Sequence, residues 1–157
     1  MRDEQHAPGT DHETGLPDGS GWTAVLEAEE LRARRYGGTH GLIAVRLSGP
    51  AADRSSANRV AHTVACAVRD IDLLARVDRA TFGVLALHCG DLGAIVARIR
   101  AGLDAAGVAG DTTVESRSAG SDLQAAWASL LSAPTGPAVI PARRHVDFVV
   151  RSQLSLN

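Results

Sequence analysis

The most constraining feature of this chain is a pair of short apolar runs at its centre. LLARV (73–77) and TFGVLAL (81–87) are separated only by Asp78-Arg79-Ala80. Two β-prone runs across so short a connection predict a hairpin of adjacent antiparallel strands. Helical periodicity flanks it. In DLGAIVARIRAGLDAA (91–106), Leu92, Ile95, Val96, Ile99 and Leu103 keep the i, i+3, i+4 rhythm of one apolar face, and Asp91 stands where an N-cap would. Upstream, a helix is expected to begin near Ser55 or Ser56 and run to about Asp70, with Val60, Val64, Ala65 and Val68 facing inward. GLIAVRLSG before it reads as a strand buried over its first half. A short strand is expected at Thr112–Glu115 and a helix over Asp122–Leu131, ended by Pro134, Gly136 and Pro137.

The resulting order is βαββαβ, an α/β (α+β) arrangement of the ferredoxin-like kind: an antiparallel sheet with two helices on one face. An additional helix precedes it over Trp22–Tyr36. Trp22, Val25, Leu26 and Ala33 share a face there, the charged residues lie elsewhere, and Gly37-Gly38 stops the helix. Three segments are expected: a flexible arm ending in a turn (1–20), the domain (21–131) and a C-terminal extension (132–157). The extension carries two apolar runs, at 138–140 and 146–150, each a candidate edge strand.

Composition narrows the function. The 157 residues suit one domain, and with aromatics at 3% the core must come from Ala, Val, Leu and Ile. A net charge of −2 supplies no field for nucleic acid. All sixteen basic residues are Arg, which excludes a P-loop lysine, a Schiff-base lysine and a Ser-Lys pair. Cys66 and Cys89 have no metal-ligand spacing and are expected as reduced, buried thiols. The N-terminus has no apolar signal region and no run is long enough to span a membrane, so a cytoplasmic protein without membrane contact is expected.

Three stretches resemble GGDEF domains. DHETGLPDGSGW (11–22) is similar to the family's opening signature, with Asp11, Thr14, Gly15, Leu16, Pro17, Gly21 and Trp22 in register. RDIDLLAR (69–76) resembles the stretch before the signature hairpin, and RVDRATFGVLAL (76–87) resembles that hairpin, with Arg76 and Phe82 matching. The resemblance covers roughly residues 11–131 and implies a GGDEF, nucleotidyl-cyclase-like fold, the same βαββαβ core with an extra N-terminal helix and a C-terminal extension.

Active members of that family join two GTP molecules into cyclic di-GMP with the help of divalent cations, which are held by carboxylates from the first strand and the hairpin. The first strand here reads Arg46-Leu47-Ser48, placing a cation where the resemblance implies a carboxylate. The signature turn reads Asp78-Arg79-Ala80-Thr81-Phe82: its glycines are gone, and its acids are Ala80 and Thr81. The guanine-holding stretch is missing between Ser48 and Asn58. The expectation is a degenerate domain with no catalytic residues, no metal site and no cofactor, magnesium entering only if the chain were active after all. Arg69 and Asp72, with Arg76 beside them, fall where the family's RxxD inhibitory site binds cyclic di-GMP, and degenerate relatives act as receptors through that site. The competing expectation is an interaction module that binds a protein partner or a second copy through a sheet edge or helical face, with Arg69–Asp72 an ordinary salt bridge. The group His88, Cys89, Asp91 reads as a capped strand-to-helix loop, Arg143-Arg144-His145 as a solvated basic loop, and His62 as a surface or half-buried histidine.

Overall fold

The computed structural model describes residues 9–48 and 54–133. The apolar runs at 138–140 and 146–150 and the basic group at 143–145 lie outside the described residues. The described chain runs α1 (Gly19–Tyr36), β1 (His40–Leu47), α2 (Arg54–Ala67), β2 (Leu73–Asp78), β3 (Thr81–Ala86), α3 (Leu92–Ala105), a 3-10 turn (Ala109–Asp111), β4 (Thr112–Ala119) and α4 (Leu123–Ser132). The strands form one antiparallel sheet in the order β2-β3-β1-β4, the ferredoxin-like order.

Helices cover both faces of the sheet. On one, α2 and α3 pack Val60, Val64, Ile95 and Ile99 against Ile43, Val45, Phe82 and Val84. On the other, α1 and α4 pack Trp22, Leu26, Leu123 and Trp127 against Leu42, Ala44, Ala75 and Leu85. β1 is therefore buried along nearly its whole length, not only over its first half, because its alternating side chains enter two cores. The face under α1 and α4 is narrow at Gly83. A Cβ there would come within 2.9 Å of the Trp22 ring and 3.2 Å of the Trp127 ring, which meet edge to face at 5.0 Å between centroids.

Several local expectations shift. α2 ends at Ala67, with Ala57, Val60, Ala61 and Val64 buried; Ala65 is exposed and Val68 lies past the helix. β4 continues to Ala119, through a polar stretch that β1 pairs residue by residue. Cys66 is exposed rather than buried, and both cysteines are free. On α1, Glu29 and Glu30 are buried, although their charge placed them outside. Glu30 accepts hydrogen bonds from the Gln124 N–H and side-chain amide, both at 3.1 Å, and so caps the N-terminus of α4. Asp122, at the N-cap position, makes no side-chain cap.

Candidate functional site

The site begins at the N-terminal turn, where residues 9–18 form a hydrogen-bonded loop closed by a Thr10–Pro17 bridge. Asp11 accepts from the Thr14 N–H (2.9 Å) and hydroxyl (2.6 Å), and Leu16 packs into the α2–α3 core. Asp18 caps α1 by accepting from the Ser20 and Gly21 N–H groups. Gly21 admits no side chain, since a Cβ would come within 2.5 Å of the Gly9 carbonyl. This turn is bolted to the hairpin. Arg76 donates its N–H to the Pro17 carbonyl at 2.8 Å, and its guanidinium pairs with Asp11 and Glu13. It also donates to the Arg79 carbonyl and lies 5.9 Å over the Phe82 ring. Burial works against the Arg76 charge, but its hydrogen bonds to Glu13 and Asp11 outweigh it and hold the group more firmly protonated than usual. Burial likewise pushes the Asp11 carboxyl up, and the Thr14 and Arg76 hydrogen bonds overcome this, leaving it below the ordinary carboxylate range. Arg76, grouped with the ligand-binding candidates from sequence, is thus committed to this internal cluster.

The second cluster sits between α2 and β2. The Asp72 side chain is fully buried, whereas that of Arg69 is 44% exposed, so the two do not both point outward. One Asp72 oxygen accepts from the Arg69 N–H (2.9 Å) and Nε (3.2 Å); the other accepts from Arg69 Nη2 (2.9 Å) and the Leu87 N–H (3.1 Å). Arg69 Nη2 also donates to the Leu87 carbonyl at 2.6 Å. Asp72 raises the Arg69 guanidinium above its usual range by hydrogen bonding. The motif forms a closed clasp from the end of α2 to the end of β3.

The third element is the signature turn. Arg46 and Thr81 stand directly opposite each other in the β1–β3 register, so the fold brings together the two strand positions where the resemblance implies metal-holding carboxylates. Neither is a carboxylate. Arg46 reaches away from the turn, donating to the Leu130 carbonyl at the end of α4 (2.9 Å) and pairing with Glu115 on β4 (3.2 Å). In the turn Asp78 is exposed and accepts from the Ala80 N–H (2.8 Å), Arg79 is exposed, and Thr81 and Phe82 are buried. Among the described residues no three His, Cys, Asp or Glu side chains are grouped to hold a metal ion.

The remaining candidates separate. Asp91 caps α3 through the Ala94 N–H, His62 is exposed beside Cys66, and His88 packs against His40. Sequence reading missed His40, buried at the start of β1, and Glu30, buried within α1; only their positions beside apolar faces could have signalled them.

No protein-family profile matches the sequence, and no curated protein matches it. Solved structures do match. A DGC protein from Thermotoga maritima superposes with a TM-score of 0.65 at 17% identity, over 77% of this chain and 97% of that one. The GGDEF domain of DgcB from Caulobacter crescentus, in complex with c-di-GMP, gives 0.63 at 14% identity, over 81% and 90%. Diguanylate cyclase SiaD from Pseudomonas aeruginosa, in complex with its activator SiaC, gives 0.60 at 21%, over 71% of this chain and 49% of that one. The fold is that of GGDEF domains. No helix among the described residues is long and apolar enough to cross a membrane.

Proposed function

We propose that this chain is a catalytically inactive GGDEF-like domain that works in bacterial signalling by engaging a protein partner or a second copy of itself. The observation that carries this reading is the pairing of Arg46 with Thr81. Phosphoryl transfer between two triphosphates needs carboxylates to hold divalent cations, and the position on β1 instead carries a guanidinium already engaged by Leu130 and Glu115. An interaction role draws support from α1, where Leu31 (62% exposed) and Tyr36 (76% exposed) lie beside Arg32 and Arg35 on the solvent side. The structure of SiaD with its activator makes protein engagement by such a fold reasonable.

A second reading, a cyclic di-GMP receptor using Arg69 and Asp72, is favoured by the half-exposed Arg69 guanidinium and by the DgcB complex with c-di-GMP. It ranks lower because Asp72 is buried and already accepts four hydrogen bonds. The test is incubation of the purified chain with GTP and Mg²⁺ or Mn²⁺, followed by calorimetric titration with cyclic di-GMP. The proposal expects no dinucleotide product. Product formation would overturn the inactive reading, and cyclic di-GMP binding that disappears in Arg69→Ala would promote the receptor reading.

A further inference from the structure

The turn after β3 is held at four points by two other segments. The Leu87 N–H donates to Asp72, and its carbonyl accepts from Arg69. The His88 N–H donates to Nδ1 of His40 at 3.3 Å, and the Cys89 N–H donates to the Thr39 carbonyl at 3.0 Å. His88 needs this restraint. Its φ of 47° makes it the sole non-glycine with positive φ among the described residues, a backbone state that costs energy for a residue with a Cβ. His40, at the start of β1, is 2% exposed, and its ring lies 5.3 Å from that of His88.

We propose that His40 is an acid-released latch: neutral, it fastens the 87–89 turn through the His88 N–H; protonated, it lets go of the turn and with it the Leu87 carbonyl that occupies Arg69. The chemistry follows from the acceptor. Nδ1 can receive the His88 N–H only through its lone pair, and a proton on that nitrogen would set N–H against N–H. The groups facing His40 decide when this happens. From the turn comes His88. From α1 comes Glu29, itself paired with Arg32 at 2.9 Å. β4 places uncharged Ala119 opposite. Burial and His88 lower the imidazole's proton affinity and Glu29 raises it, with the first two prevailing. The folded midpoint therefore lies below the unfolded value of about 6.5. The neutral latch contributes its full stability above that unfolded value and loses it as pH falls through the lower folded midpoint.

The test is amide hydrogen exchange and imidazole NMR on the whole chain between pH 7.5 and about 5, with exchange corrected for its intrinsic pH dependence. Protection of the Leu87, His88 and Cys89 amides is expected to fall together, by up to about tenfold per pH unit between the unfolded value near 6.5 and the lower His40 midpoint. In His40→Gln, whose amide oxygen can accept the same N–H without titrating, the protection should be flat. Constant protection in the native chain, a fall confined to His88, or the same fall in His40→Gln would each overturn the latch. Should His40→Gln not fold, His88→Gly decides. It keeps the N–H and accepts the backbone conformation, so protection of the 87–89 amides should still fall as His40 titrates. Protection that ignores the His40 titration would overturn the proposal.

Discussion

Substituting the two halves of the Arg69–Asp72 clasp one at a time should have very unequal effects on stability. The Asp72 carboxylate is buried and accepts from two backbone N–H groups, those of Arg69 and Leu87, as well as from the guanidinium. Asp72→Ala removes the acceptor for both. Each backbone donor loses a charge-assisted bond, and that of half-buried Leu87 has poor access to water in exchange. At about 1–2 kcal/mol per donor, the loss is about 2–4 kcal/mol, a large fraction of the 5–15 kcal/mol typical of a whole domain. Asp72→Asn keeps one oxygen and should lose about half as much. Arg69→Ala removes a half-exposed cation and leaves Asp72 still bound to both backbone donors, so its cost should be clearly smaller. Urea denaturation followed by far-UV circular dichroism measures this directly. With a slope of about 1–3 kcal/mol per molar urea, Asp72→Ala should lower the midpoint by on the order of 1–2 M. Equal losses in Asp72→Ala and Arg69→Ala, or a neutral Asp72→Ala, would refute the reasoning and return Asp72 to the pool of residues free for a ligand.

Three further outcomes are expected. The Asp11 carboxyl, held low by Thr14 and Arg76, contributes stability that is complete above the unfolded value near 4 and is lost as pH falls through the lower folded one; an acid titration of unfolding should show this limb, and Asp11→Asn should remove it. Gly83→Ala should cost about 1–3 kcal/mol, because the methyl meets two indole rings, and should change the tryptophan fluorescence; an unchanged melting temperature would contradict the packing described. Glu30→Ala should cost about 1 kcal/mol by leaving the Gln124 N–H uncapped, and hydrogen exchange should localise the loss to the first turn of α4.

The order of elements was legible because the hairpin and α3 carry strong, local patterns: a three-residue connection between apolar runs, and an unbroken helical stripe capped by Asp91. What escaped was non-local. Glu29 and Glu30 look like solvent residues until α4 and β1 arrive beside them. The polar half of β4, Glu115–Ala119, offers no apolar alternation and becomes a strand only because β1 supplies its partner. At the site, the motif spacing picked out Arg69, Asp72 and Arg76, but spacing is silent about burial. Asp72 and Arg76 are spent on Leu87 and on the Asp11–Glu13 pair, and no one-dimensional pattern distinguishes an occupied side chain from an available one.

The residues that resemble the GGDEF signatures and those that depart from them divide along a physical line. Asp11 and Thr14 hold the N-terminal turn, Leu16 enters a core, Gly21 makes room for the Gly9 carbonyl, and Arg76 and Phe82 tie the turn to the hairpin. Each closes an internal contact, and removing it costs stability whether or not any chemistry takes place. The departures, Arg46 and the Asp78-Arg79-Ala80-Thr81 turn, fall where the resemblance implies groups turned toward metal and triphosphate. Such groups owe the fold little, since metal-holding carboxylates crowded at a turn repel one another in the absence of cations. Replacing one with Arg46 even supplies a contact, because the guanidinium caps a carbonyl at the C-terminal end of α4, where the helix dipole favours positive charge. The fold therefore closes its internal contacts with Arg46 and the 78–81 turn in these positions, and the proposed interaction role directs the search for a partner to the outer surfaces rather than to the hairpin turn.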